Sequence, residues 1–254
     1  PMRSHQYALG GYYTGINGWE FSVEGYYKDM RNVLEYKDGV SFFGSSSGWE
    51  NKVEMGKGRS AGIEFMAQKT AGKTTGWLSY TLSKSDRKFT KGGINNGEWF
   101  PYKYDRRHSI NLTINHKFSD RIDIGASWVF YTGGTSTIPE EKTTVIRPHN
   151  GANNGFLWYG TYDNTNSSPT IGDVSYIEHR NNFRLPASHR LNLGVNFNKK
   201  TKHGMRTWNI SLYNAYNAMN PAWVYRGHNK QGLSVIKKYT LLPLIPSFTY
   251  TYKF

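Results

Sequence analysis

The sequence predicts an all-β chain, the wall of an antiparallel transmembrane β-barrel, and three observations carry that prediction. Apolar and polar residues alternate with period two along nearly all of the 254 residues, the signature of strands with two unlike faces. Connections between those strands alternate short and long, the parity produced by tight turns on one side of a membrane and long loops on the other. Aromatic residues make up 16% of the chain, and Trp and Tyr cap the apolar faces as interfacial girdles do.

The elements follow in order from this alternation. Trp19, Phe21 and Val23 alternate with Glu20, Ser22 and Glu24, and Ala61, Ile63, Phe65 and Ala67 with Gly62, Glu64, Met66 and Gln68. Ile110, Leu112 and Ile114 alternate with Asn111, Thr113 and Asn115, and Ile122 to Phe130 repeats the pattern. Leu191 to Phe197, Trp208 to Leu212 and Phe248 to Phe254 complete it. Nine strands are predicted, at about 4–16, 19–38, 59–71, 74–89, 106–118, 121–133, 189–198, 205–228 and 232–254. Short turns fall near Ile16-Asn17-Gly18, Ala71-Gly72-Lys73, Ser119-Asp120 and between Lys199 and Gly204. Long polar connections cover about 38–58, 89–105 and 134–188. The polar faces carry Glu20, Glu24, Glu64, Asn111, Asn115, Asn192 and Asn196, groups that suit a hydrated lumen. Single-chain bacterial barrels have even strand numbers, so nine strands predict a fragment of a larger wall.

Composition excludes several alternatives. No apolar run approaches the ~20 residues of a membrane helix, and Pro243 and Pro246 interrupt the longest one. The mean hydropathy of −0.68 is compatible with a barrel, because alternating segments average to a polar score. There is no cysteine, hence no disulfide, thiolate metal site or thiol nucleophile. The eight histidines never fall at a close ligand spacing, so neither a metal nor a cofactor is expected. Glu140-Glu141-Lys142 and Glu178-His179-Arg180 read as loop charges, and no nucleophile elbow, phosphate loop or zinc-protease motif occurs. The chain does not read as an enzyme.

Two places stand out as candidate sites. Asp105, Arg106, Arg107 and His108 concentrate charge where a long connection re-enters a strand, and read as a loop anchor. Trp158, Tyr159, Tyr162 and Tyr176, set among Asn and Gly in the longest connection, read as ligand contacts, since ring faces stack and amides hydrogen-bond. The net charge of +14 has basic residues on both sides of the strands. Arg31, Lys88, Lys91, Lys103, Arg106, Arg107 and Lys230, on the long-connection side, are placed to meet anionic head groups or an acidic ligand.

Specific motifs add a resemblance. The ending Phe248-x-Tyr250-x-Tyr252-x-Phe254 resembles the C-terminal signal of bacterial outer-membrane proteins. Asn209-Ile-Ser-Leu-Tyr-Asn-Ala-Tyr-Asn217, followed by Asn220-Pro221, resembles the Asn-Leu-Phe-Asn/Asp element of the penultimate strand of TonB-dependent transporters, with Ala215 where Leu is usual. Gly58 to Phe65, Gly76 to Leu82 and Pro101 to His108 resemble further strands of that family, the last one as in Bacteroidetes members. The resemblance implies the last nine or so strands of a barrel of about 22, in the cell outer membrane, with residues 1–254 as the C-terminal portion and the plug and earlier strands absent. It implies import of a scarce or bulky ligand, energised through TonB. The partners it implies are the remaining strands and plug, outer-membrane lipid and lipopolysaccharide, and a surface lipoprotein, with no nucleic acid. A second functional class is a basic, aromatic-rich β-barrel that binds nucleic acid or another anionic polymer. It would be soluble and lose affinity steeply with salt.

Overall fold

A computed structural model of the chain describes residues 1–37, 48–90, 94–139, 141–147 and 170–254, the backbone alone for 141–147 and 170–175. Its strands are β1 (Arg3–Tyr13), β2 (Trp19–Tyr36), β3 (Val53–Lys69), β4 (Thr74–Lys88), β5 (Phe100–Pro101), β6 (His108–Lys117), β7 (Ile122–Tyr131) and β8 (Thr135–Ser136). They continue as β9 (Glu141–Arg147), β10 (Thr170–Tyr176), β11 (Phe183–Arg184), β12 (Ser188–Thr201), β13 (Gly204–Tyr213), β14 (Pro221–His228), β15 (Ser234–Thr240) and β16 (Ile245–Lys253). One sheet runs β1-β2-β3-β4-β6-β7-β12-β13-β16, every neighbour antiparallel, with β5 continuing along β4 beyond β6. These are the nine wall strands expected from the alternation. Three two-stranded sheets, β9–β10, β8–β11 and β14–β15, hang from the long connections. β1 and β16 form the two edges and are not paired with each other, so the wall is open.

The register turns the alternation into two continuous surfaces. Across one face run Leu9, Gly25, Ile63, Leu82 and His108 in one cross-strand row, and Leu191, Trp128, Leu112 and Leu78 in another. Further along the same face come Phe197, Trp208 and Tyr250, then Val195, Ile210 and Phe248. The opposite face carries Glu20, Glu24, Glu64, Asn111, Asn115, Asn192 and Asn196, all seven residues expected there. Leu9 is 85% exposed and Phe248 64%, so the apolar face meets no second layer of protein. Apolar surface this continuous is not stable against water and is what a strand wall presents to hydrocarbon.

Two predicted wall strands are shorter than expected, one ending early and the other starting late. The alternation from 205 to 228 is broken at Asn214 (φ 54°) and Asn217 (φ 53°), which turn the chain out of the wall after β13. That from 232 to 254 is broken at Leu242 (φ 59°), just before Pro243. Between these turns β14 and β15 pair with each other, so 214–244 is a fourth long connection. β3, by contrast, starts at Val53 and extends its pairing with β2 to Tyr36.

Buried apolar side chains lie at the long-connection end. Val33, Phe89, Ile94 and Phe100 form a small core with Met30 against it, and the Phe89 and Phe100 rings lie 6.0 Å apart.

Candidate functional site

The long-connection end is built around two carboxylates, Asp105, which is buried, and Glu35, which is half-buried. β5 and β6 both lie along β4, and residues between them leave a gap in the ladder. Asp105 fills it. Its fully buried carboxylate accepts the Ser85 amide at 2.7 Å and an Arg184 guanidinium nitrogen at 2.5 Å, with Arg107 Nε at 3.5 Å. The other terminal nitrogen of Arg184 donates to the carbonyls of Asp105 (2.8 Å) and Gly133 (2.9 Å). A buried charge is tolerated when its partners and hydrogen bonds are this complete, and removing one partner is strongly destabilising.

The second carboxylate is Glu35. A bulge at Asn32 (φ 57°) shifts the register of β2 between Arg31 and Val33, so Val33 and Glu35 turn to the face that carries Arg87. Glu35 takes Arg87 at 3.1 Å and Arg180 at 3.3 Å, and the Arg87 guanidinium lies 3.7 Å from the centre of the Tyr102 ring. The backbone amide of Arg180 donates to Asn95 Oδ1 at 2.7 Å. Asn181 donates to the Pro101 carbonyl at 2.7 Å, and Asn182 bonds Ile138 through both its amide nitrogen and its oxygen. These contacts strap residues 180–184 across the ends of β2, β4 and β5, above the core of Val33 and Phe89. The loops therefore stand on a floor held by their own core and ion pairs.

The four anchor residues separate into different roles. Asp105 and Arg107 come together. Arg106 lies with its guanidinium 3.9 Å from the centre of the Tyr131 ring, and His108 sits on the apolar face, where Nδ1 shares a 2.9 Å hydrogen bond with the Tyr80 hydroxyl. Arg184 and Arg180 were not visible as partners, because they lie 79 residues from Asp105 and 145 from Glu35. Of the expected ligand contacts, Trp158, Tyr159 and Tyr162 lie outside the described residues. Tyr176 is exposed and pairs with Glu141 at the base of the β9–β10 hairpin, which carries residues 148–169. Among the described residues no three His, Asp or Glu side chains group as metal ligands.

Below this floor the polar face is a hydrogen-bonded amide array. Asp123 accepts from Asn196 and Asn198, Asn196 from Asn209 and Asn198 from Thr207, all at 2.7 Å. On the reverse face Phe248 and Tyr250 pack on Trp208 with ring centres at 5.0 and 4.4 Å, and Tyr252 lies 6.4 Å from Phe254.

Comparison with known proteins decides what kind of wall this is. The family described as TonB dependent receptor-like, beta-barrel matches residues 1–226. The chain belongs to the TonB-dependent receptor family. TonB-dependent receptors are outer-membrane transporters of Gram-negative bacteria, not enzymes. Among solved structures the chain is similar to Fiu, a ferric-catecholate import receptor from Escherichia coli K12, with a TM-score of 0.53 and 14% identity. It is also similar to the ferripyoverdine receptor of the Pseudomonas aeruginosa outer membrane, solved with ferripyoverdine bound, with a TM-score of 0.50 and 11% identity. Each match covers 98% of this chain, which spans 27% and 26% of those two receptors. No curated protein matches the chain. In a TonB-dependent barrel the apolar face is the lipid face, the amide array faces the lumen, and the short turns are periplasmic.

Proposed function

We propose that the chain is the C-terminal portion of an active importer whose plug and earlier strands lie outside residues 1–254. A single observation carries the reading: a continuous lipid-compatible face backs a polar lumenal face, with all the elaborated connections at one end. The unpaired edges β1 and β16 support the larger wall, since unsatisfied strand edges in hydrocarbon cost several kcal/mol per group. A scarce or bulky ligand is captured at the outer mouth by the β9–β10 hairpin and its residues Trp158, Tyr159, Tyr162 and Tyr176. Asp105 and Arg107, with Arg184, anchor the base of that connection, while Arg106 and His108 fix its flanks. The partners are the plug, TonB through the plug side, outer-leaflet lipid and lipopolysaccharide, and a surface lipoprotein over the mouth. Phe248, Tyr250, Tyr252 and Phe254 serve as the assembly signal.

Ferric chelates, the ligands named for the two similar receptors, are the first probes. Cells carrying the receptor are expected to accumulate labelled ferric catecholate or ferripyoverdine only when TonB is present, and to lose binding when residues 141–176 are deleted. Accumulation that ignores TonB would overturn active import. Binding that survives the deletion would move the ligand site elsewhere.

A further inference from the structure

The lumenal face just below the loop floor holds two arginines that differ from those of the floor itself. The register places Ser109, Tyr131 and Ser188 in one cross-strand row, Asn111, Val129 and Arg190 in the next, and Thr113, Ser127 and Asn192 in a third. Arg190 is therefore a diagonal neighbour of Tyr131, about 7–8 Å away between Cα atoms. Its guanidinium lies 4.4 Å from the centre of the Tyr213 ring and donates to the Tyr213 hydroxyl. Nε of the same group is buried and has no hydrogen-bond partner among the described residues. Arg106 reaches the same place from the residues before β6. Its guanidinium covers the Tyr131 ring at 3.9 Å, while its backbone carbonyl accepts the Ser83 hydroxyl at 2.9 Å. The main chain of Arg106 is thus tied to β4, and the residue stays exposed.

Among the described residues nothing neutralises this pair. Arg87 and Arg180 are held by Glu35, and Arg107 and Arg184 by Asp105, whereas neither Arg106 nor Arg190 meets a carboxylate. No Asp or Glu follows Glu178 in the sequence, although twelve Lys and Arg residues do. The lumenal carboxylates Glu20, Glu24 and Glu64 stand on β2 and β3, and from β3 to β7 is three strand steps, about 14 Å. Asp123 lies at the short-turn end of β7 and is engaged by Asn196 and Asn198.

We propose that Arg106 and Arg190 form a carboxylate-binding site on the lumenal wall, which takes an acidic oligosaccharide on its way in from the loops. The proposal rests on the import reading and gives its ligand a chemical class. A guanidinium presents a planar fork of N–H donors that fits a carboxylate, and stacking on a tyrosine ring holds that fork in one orientation. The rest of the surface selects the scaffold. Apart from Arg190, Tyr131 and Val129, the three rows offer hydroxyls and amides, which exchange hydrogen bonds with a polyol. An apolar ligand would leave these groups without partners, and a neutral sugar would leave the two charges without one.

The test titrates the whole receptor, purified in neutral detergent, with hexagalacturonate and with its fully methyl-esterified form, which keeps the scaffold and loses the charge. Calorimetry on wild type should show the acid bound about tenfold or more tighter than the ester, the scale of one or two charged hydrogen bonds, with the preference shrinking as salt is added. R106Q/R190Q should lose the preference, and R106K/R190K, which keeps the charge without the fork, should retain part of it. K199Q/K200Q, which removes two charges at the short-turn end, should retain all of it. Equal affinity for the two forms in wild type, as when an acidic group of the plug already fills the site, would overturn the proposal. So would no binding of the acid, or an undiminished preference in R106Q/R190Q. Heat-modifiability on a gel is read on every variant, and if the double variant fails it, the exposed single change R106Q carries the test. A wild-type receptor that accumulates ligand through TonB but does not prefer the acid sinks the site and keeps the import reading. One that prefers the acid but accumulates it independently of TonB does the reverse.

Discussion

The two ends of the wall are built by different physics. At the short-turn end β1–β2, β3–β4, β6–β7 and β12–β13 are joined by residues 14–18, 70–73, 118–121 and 202–203, and left-handed glycines Gly18 and Gly72 turn two of them. Nothing there is buried, because a tight turn satisfies its own backbone. At the other end collect all the left-handed non-glycine residues among the described ones: Asn32, Asn95, Asn96, Asn181, Asn214, Asn217 and Leu242. Long connections must satisfy their backbone by distant partners, and asparagine both tolerates the left-handed conformation and supplies the hydrogen bonds. Asn214 shows both: its buried side chain bonds the Ala218 amide and the carbonyls of Ala218 and Leu242. A barrel thus carries a periplasmic rim fixed by local chemistry and an outer rim fixed by long-range contacts.

The largest break in that comparison is expected at Asp105. Asp105→Ala leaves Arg184 and the Ser85 amide without their acceptor and should cost about 3–5 kcal/mol locally, as breaking a buried pair does. Protease should then cut within 132–187 in intact cells, while the barrel remains heat-modifiable. A barrel that fails to assemble would show that the outer floor is needed for the wall, against the division drawn here. A smaller effect is expected at the other end. Gly76 has φ 157°, and a Cβ there would stand 2.1 Å from the Thr113 carbonyl oxygen, so Gly76→Ala must displace β4 from β6. It should lower thermal stability by about 1–3 kcal/mol and leave loop proteolysis unchanged.

The smallest effect belongs to Asp120 in the turn between β6 and β7. Lys117, bonded to it at 3.0 Å, and Lys200 hold its carboxyl below the ordinary value of 3.8. A depressed folded-state pKa stabilises above the unfolded value and is lost as pH falls through the folded one, so any contribution is complete at neutral pH and disappears in strong acid. The pair is exposed, and Asp120→Asn is expected to melt with wild type at pH 7. A clear drop in melting temperature would mean the short turns are not purely local devices.

Legibility in the sequence follows the same division. Period two and turn glycines are local, so nine strands and both faces could be read from residues such as Leu191 to Phe197 directly. The loop floor could not. Nothing near Asp105 announces Arg184, and nothing near Glu35 announces Arg180. The bulge at Asn32, which turns Val33 and Glu35 inward, leaves no mark in the alternation. The same alternation misled in one place: it runs on through Trp223 and Tyr225, which belong to a separate hairpin, and the break was written in Asn214 and Asn217, inside the very motif that resembled the family.

The central claim is that the face of Val195 meets lipid and the face of Asn196 meets water. Residues 1–254 contain no cysteine, so single cysteines at 193 to 198 can each carry a spin label with no background from these residues, any cysteine elsewhere in the receptor being replaced first. Accessibility to oxygen, which partitions into hydrocarbon, and to a water-soluble nickel chelate should alternate with period two in the membrane-embedded receptor. Labels at Leu193, Val195 and Phe197 should favour oxygen, and those at Gly194, Asn196 and Asn198 the chelate. The opposite phase, or no alternation, would contradict the account.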